Sequence, residues 1–268
     1  MKLNISEINK IIACPGCRAP MPLIESQDAV CSLCQSSYPW LAHTWNLIPS
    51  SWKESSDLWP AWEQLQANGV VSYRKDPQNN LNVGKRQVSI DFSNFCRFDG
   101  LVLDVGCGPQ AWPSHFASGA EGTRFVGVDP LVGGSEADYT QFCALGEYLP
   151  FRDGVFDHVV FATSLDHFVD PLPVLLEARR VCGENGEIGL WVGEKSANTP
   201  KPANSPEWYS QLKKPEGAED VFHFKRLSAA DSDRLIDRAG LRIVAREVHE
   251  VDQYRSNYFY RLQVTSAT

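Results

Sequence analysis

The stretch Leu101-Val-Leu-Asp-Val-Gly-Cys-Gly108 constrains the chain more than any other. A short run of apolar, β-forming residues holds one acid and ends in two glycines spaced one apart. Such a run reads as a strand buried on both faces. Gly106 permits the tight turn after the strand, and Gly108 removes a Cβ so that a ligand can approach the backbone. Further strands are predicted at RFVGVD (124–129), near 140–144, at FDHVVFA (156–162) and at EIGLWVG (187–193). A helix is predicted at 173–182, where Leu175, Ala178 and Val181 recur at i, i+3 and i+6. Short apolar strands alternating with helices predict an α/β fold with a parallel sheet covered on both faces. Ligands in such sheets bind at the carboxyl ends of the strands, where strand order reverses.

The loop after Asp104 selects the kind of ligand. The spacing Gly106, Gly108, Ala111 is compatible with a dinucleotide fingerprint, but Pro109 and Pro113 leave fewer N–H groups free at the predicted helix start to cradle a pyrophosphate. Asp104 would repel phosphate and welcome an ammonium group. No GxxxxGK[ST] loop is present. A ligand with an ammonium, a sulfonium and a ribose but no phosphate satisfies these constraints, and S-adenosylmethionine is such a ligand. Asp129, at the end of the second strand, can accept both ribose hydroxyls.

Four of the eight cysteines form two CxxC pairs, Cys14-Pro-Gly-Cys17 and Cys31-Ser-Leu-Cys34. Two such knuckles complete a tetrahedral S4 site, which selects Zn²⁺ or iron, and zinc is expected in the absence of a further cysteine cluster. Four thiolates close the coordination shell, so the metal is expected to be structural. Residues 1–50 balance three basic (Lys2, Lys10, Arg18) against three acidic (Glu7, Glu25, Asp28) side chains, unlike a ribbon that grips phosphates. The expected organisation is a zinc ribbon at 1–50, a helical linker at 51–98 and a main domain at 99–268. In the linker Leu58, Trp62 and Leu65 fall at helical spacing, as do Val88, Phe92 and Phe95, and the tryptophans read as packing. A net charge of −8 argues against a non-specific nucleic-acid binder. No run approaches the ~18–20 apolar residues of a membrane span, and no signal-peptide stretch opens the chain, so a cytoplasmic protein is expected.

The run Ala144-Leu-Gly-Glu-Tyr-Leu-Pro-Phe151, then Arg-Asp-Gly-Val-Phe-Asp157, resembles the class I S-adenosylmethionine-dependent methyltransferases, whose typical pattern is A-E-x-LPF-x-D-x-x-FD. The likeness continues through Ser164-Leu-Asp-His-Phe-Val-Asp-Pro171, Glu177-Ala-Arg-Arg-Val181 and Gly183-Glu-Asn-Gly-Glu187, covering roughly residues 80–265. The resemblance implies a Rossmann-like, seven-stranded, mostly parallel sheet with an antiparallel last strand. It maps the methionine part of the cofactor to Asp104, Gly106, Cys107 and Gly108, the ribose to Asp129 with Pro130, and the adenine to Leu145 and Gly146. Leu145 departs from the family's usual Asp, and Glu147 is a possible substitute for the adenine bond. The span between Asp129 and Ala144 is short for a full helix, with Gly133-Gly134 marking a loop. The pattern CPxC…CxxC with Tyr38-Pro39 is similar to two ribbons, one in small activator subunits of methyltransferases and one opening the 23S ribosomal RNA guanine-N1 methyltransferases.

Methyl transfer needs an aligned acceptor, exclusion of water and, for a hydroxyl or protonated nitrogen, a base. Asp166 and His167, just past the fourth strand, and His223 are the candidates. Residues 194–220 hold four prolines and mixed charge and read as a lid or binding loop, with Trp208 and Tyr209 as contact candidates. A last helix after 228 and two strands near 241–248 and 256–265 are expected to close the sheet. Three functions compete. The first is methylation of a small-molecule, saccharide or lipid-linked acceptor, favoured by the acidic charge and the neutral ribbon. The second is ribosomal RNA base methylation, which salt-dependent RNA affinity would reveal. The third is a non-catalytic ribbon-bearing partner, to which Leu145 and Gln110 point and which cofactor calorimetry would discriminate.

Overall fold

Residues 2–115, 119–200 and 205–264 are described by a computed structural model. Residues 201–204 of the expected insertion and residue 265 of the expected last strand lie outside the described residues. The N-terminal segment opens with α1 (Ile5–Ile11), started by a reciprocal cap in which Asn4 accepts from the Glu7 N–H and Glu7 from the Asn4 N–H. A two-stranded antiparallel hairpin follows, β1 (Ala29–Val30) and β2 (Ser37–Tyr38). The linker forms α2 (Ser50–Ser55), α3 (Trp59–Lys75), α4 (Pro77–Asn80) and α5 (Gln87–Cys96). Both expected linker helices are present, as α3 and α5. Pro60 and Pro77 sit in first turns, where a missing N–H costs nothing.

The main sheet contains β3 (Leu101–Val105), β4 (Arg124–Val128), β5 (Thr140–Phe142), β6 (Phe156–Ala162), β7 (Cys182–Lys195), β8 (Leu241–Asp252) and β9 (Arg255–Val264). Its order is β5-β4-β3-β6-β7-β9-β8. The strands from β5 to β7 pair in parallel, and β9 runs antiparallel to both its neighbours. This is the expected seven-stranded architecture. The chain winds outward from β3 through β4 to β5, then returns to β6 on the other side, so the switch point lies between β3 and β6.

Helix α5 covers one face of the sheet, where Phe92, Phe98, Phe125, Trp191 and Phe259 form a buried aromatic cluster. On the other face α6 (Pro171–Val181) and α7 (Ala229–Arg238) pack over the sheet. The N-terminal segment joins this second core: Ile8, Ile12, Met21 and Leu47 belong to the same buried cluster as Leu103, Phe142, Phe151 and Leu175. Residues 45–47 lie just past the end of β5, with Leu47 N donating to Cys143 O at 2.7 Å and Cys143 N to Trp45 O at 3.2 Å.

Two segments depart from expectation. The helix expected to begin after Gly108 is not formed among the described residues of 109–123; Pro109 and Pro113 lie in a stretch of bends and turns. β7 begins five residues earlier than predicted, because Gly183-Glu-Asn-Gly186 is taken into the ladder as an irregularity between Phe156 and His158. The short β4–β5 link is a loop containing Gly133-Gly134, as expected.

Candidate active site

A cavity of about 640 Å³ opens at the carboxyl ends of β3, β4 and β6. Asp104, Gly106, Cys107, Asp129, Pro130, Leu145 and Ser164 form its sheet wall. Helix α3 supplies the facing wall with Trp62, Gln66, Gly69 and Tyr73, which follow at i, i+4, i+7 and i+11 on one helix face. Asn79, Asn80, Arg86 and Val88 extend that wall.

The glycines do what the turn needs, and the protein itself occupies the space they leave. Gly106 has φ +81°, and a Cβ there would come within 2.4 Å of Ser164 Cβ. Ser164 is held by its hydroxyl, which donates to Val105 O at 2.6 Å. Gly108 has φ +66°, and its missing Cβ makes room for the Tyr73 hydroxyl. Each position therefore excludes an L side chain by backbone conformation and by contact together.

Asp104 is 3% exposed and lines the cavity, with no cation paired to it among the described residues. Burial, then the neighbouring Asp129 charge, pushes its carboxyl up to about 7. Asp129 is pushed up to about 6 by burial, although it accepts from Gly108 N at 2.9 Å and Leu131 N at 2.8 Å. Each of its oxygens has accepted one bond and retains capacity for another. A buried acid facing empty volume without a counter-charge is a site for a cation. The ammonium and ribose of S-adenosylmethionine fit these two groups.

Leu145 lines the cavity, whereas Gly146 and Glu147 lie off it. Gly146 packs under Phe168, where a Cβ would come within 2.7 Å of the ring. The Glu147 carboxyl is pushed up to about 7 by burial. The loop 145–151 is tied from behind by residues the sequence marked only as a motif. Glu177 accepts from Leu149 N at 3.1 Å, and Arg180 donates to Leu149 O at 3.0 Å and to Phe151 O at 2.6 Å. Arg180 and Glu177 also pair at 2.7 Å, and Arg18 from the first cysteine knuckle reaches Glu177 at 2.9 Å.

At the other end of the cavity the structure brings Asp166, His167 and His223 together. Their ligand-type atoms lie within 4.8 Å of one another. The two imidazoles face each other with centroids 4.2 Å apart, and His223 Nε2 is 3.7 Å from Asp166 Oδ2. His167 lines the cavity. His167 is exposed, open to the cavity, and desolvation, then the neighbouring His223, lowers its basicity. Trp208 and Tyr209 do not line the cavity; Tyr209 packs on Phe222, which does. Asn68 of α3 donates to Lys213 O and Val221 O, fastening the insertion to the helical wall.

The four cysteines of the ribbon also converge. Cys14 and Cys34 sulfurs are 3.6 Å apart and Cys17 and Cys31 sulfurs 3.5 Å, too long for disulfides. A tetrahedral ion with Zn–S bonds of ~2.3 Å needs sulfurs roughly 3.8 Å apart, so the cluster fits zinc with small adjustment.

Residues 103–190 match the family described as Methyltransferase domain. No curated protein matches the chain. Among solved structures, the 1,6-didemethyltoxoflavin-N1-methyltransferase of Burkholderia thailandensis, with 1,6-didemethyltoxoflavin and S-adenosylhomocysteine bound, is 13% identical, with a TM-score of 0.51 over 88% of this chain and 99% of its own. A chain of the complex between the Haloferax volcanii Trm112 methyltransferase activator and its methyltransferase is 15% identical, with a TM-score of 0.50 over 70% and 95%. These likenesses concern the fold. The matched span supports reading the chain as a methyltransferase. No helix among the described residues is long and apolar enough to cross a membrane.

Proposed function

We propose that the protein transfers a methyl group from S-adenosylmethionine to a small-molecule, saccharide or lipid-linked acceptor. The observation that carries this reading is Asp104, a buried carboxyl on the cavity wall with no cation beside it. The cofactor supplies a methyl group on a sulfonium, already activated for in-line displacement. Asp104 receives its ammonium, Asp129 its ribose hydroxyls, and Leu145 flanks its adenine, with Cys107 and Pro130 completing the wall. The amino group of the adenine finds no side-chain acid at 145, so its bond goes to the backbone of this loop.

A volume of about 640 Å³ lies within the ~300–1,000 Å³ range of small-molecule sites. Walls on both sides, one of them α3, favour a compact acceptor over a base within an RNA helix. Holding the partners in line can supply roughly 7–11 kcal/mol of rate acceleration. Proton removal from the acceptor falls to the cluster of Asp166, His167 and His223. Cys14, Cys17, Cys31 and Cys34 hold a structural zinc ion, which organises the ribbon against the adenine loop through Arg18.

Calorimetry tests the cofactor assignment. S-adenosylmethionine and S-adenosylhomocysteine should bind, and NAD and ATP should not; the reverse result refutes the reading. Tritium transfer from labelled cofactor into cell extract, followed by nuclease, glycosidase and lipid extraction, then identifies the acceptor class. Label released by nuclease would move the assignment to RNA.

A further inference from the structure

We propose that Asp166, His167 and His223 bind a divalent transition-metal ion at the acceptor end of the cavity, where it holds an oxygen-bearing acceptor. The inference rests on the methyl-transfer reading for its purpose, though not for the binding itself.

The argument starts from where the imidazole protons are. His167 Nδ1 lies 3.1 Å from Phe222 O, and a carbonyl can only accept, so Nδ1 carries the hydrogen. His223 Nδ1 lies 2.8 Å from Asp220 Oδ1. Asp220 also accepts from Phe222 N at 2.8 Å, from His223 N at 3.0 Å and, at Oδ2, from Arg226 Nε at 2.8 Å. With so many donors aimed at it Asp220 is a carboxylate, and His223 Nδ1 donates. In its neutral form each imidazole then presents the lone pair of Nε2, and Asp166 adds carboxylate oxygens. One ligand atom from each of the three residues lies within 4.8 Å of the others, with His223 Nε2 3.7 Å from Asp166 Oδ2. A cation between them, either a proton on His223 or a metal ion, balances the Asp166 charge.

Two features favour a metal over a shared proton. First, each imidazole has its far nitrogen fixed by an acceptor, one a carbonyl and one a carboxylate, the arrangement that orients metal-bound histidines. Second, two histidines and one carboxylate form the three-ligand face that leaves adjacent coordination positions open. Ring centroids only 4.2 Å apart suit neighbouring positions of an octahedron better than the wider spacing of a tetrahedron. The ligand atoms, within 4.8 Å of one another, need to close by about an ångström to reach bonds of ~2.0–2.2 Å. His167 lines the cavity, which sets the cluster beside the space an acceptor would occupy. An acceptor hydroxyl bound there would ionise more readily, its proton passing to solvent water. The cluster thus serves proton removal through the ion.

The ribbon thiolates would compete for zinc or cobalt, so Mn²⁺, a poor partner for thiolates, is the probe. Titration of the full chain with Mn²⁺, followed by electron paramagnetic resonance, should show about one tight site per chain. His167→Ala and His223→Ala should each weaken it at least tenfold. Asp220→Asn, which alters no ligand, should weaken it about 10–100-fold by loosening His223. Circular dichroism and cofactor calorimetry on every variant verify that fold and cofactor site are intact; where His223→Ala fails to fold, His223→Gln replaces it. Mn²⁺ binding that is absent, or unchanged in the histidine variants, overturns the proposal and leaves a proton-sharing cluster. Failure of S-adenosylmethionine to bind the wild type would instead sink the methyl-transfer reading, with the Mn²⁺ result still standing.

Discussion

The sheet wall of the cavity and the helical wall opposite it are made of different chemistry. The sheet wall places two carboxyl groups, Asp104 and Asp129, at the ends of parallel strands whose residues are buried on both sides. The helical wall offers neutral groups: Gln66, Ser72, Tyr73, Asn79 and Asn80, with Trp62 and Leu65 between them and Arg86 at its far end. Strand ends are fixed by ladders on each side, whereas α3 and α4 are joined through one residue, Asp76. The charged wall is suited to hold a cofactor that never varies. The neutral wall is suited to choose an acceptor.

The largest test of that contrast removes the brace behind the sheet wall. Glu177 is buried between two arginines and the Leu149 N–H, so Glu177→Ala leaves that N–H unpaired and Arg180 with only Asp153 and two carbonyls, and should cost about 3 kcal/mol of stability. Thermal denaturation measures it, and a change within experimental error would show that the brace is idle. Next comes the charge itself. Asp104→Asn should weaken cofactor binding about 10–100-fold by removing a charge-assisted partner, and should stabilise the ligand-free protein because a buried unpaired acid is lost. Calorimetry and a melting curve on the same variant read the two opposite signs; weakening of both would make Asp104 structural.

The same acids give a pH signature. Their folded values, about 7 and about 6, lie above the ~3.9 of an unfolded Asp, so the folded chain binds more protons. Stability of the ligand-free protein should therefore fall as pH rises from about 4 towards 7. A cation placed beside Asp104 should expel its proton, so calorimetry at about pH 6 in buffers of different ionisation enthalpy should register release of about one proton per chain. Proton uptake would contradict the assignment. The smallest effect belongs to the helical wall. Tyr73→Phe removes a hydroxyl poised over Gly108 and should change cofactor affinity by less than about tenfold, roughly 1 kcal/mol. A larger loss would place Tyr73 among the cofactor's own partners.

The contrast also explains what could be read before the fold was known. Asp104, Gly106, Asp129 and Leu145 sit next to strand ends, so short local patterns marked them as candidates, and all four line the cavity. Asp166, His167 and His223 were each legible as candidates. Their meeting depends on the turn at 219–226 and its tie to Asn68, which no local pattern encodes. Helix α3 was legible as a helix and Trp62 as a packing residue. Gln66, Gly69 and Tyr73 continue the Trp62 face, but they are polar or small, and a search for apolar periodicity stops at Leu65. The ribbon reads as a separate unit because its cysteines organise it locally. Ile8, Ile12 and Leu47 join the core of the sheet only through contacts distant in sequence.

Residues 45–47 have a consequence for how copies of this chain meet. An unpaired border strand is a template for another molecule, and here residues 45–47 cover one border just past the end of β5, at Cys143. The opposite border, β8, carries register shifts at Ile243/Ala245 and Glu250/Asp252 and charges at Arg242, Arg246, Glu247 and Glu250. Kinks and charges of that kind resist strand-to-strand growth. Both borders thus carry features that resist ribbon-like aggregation.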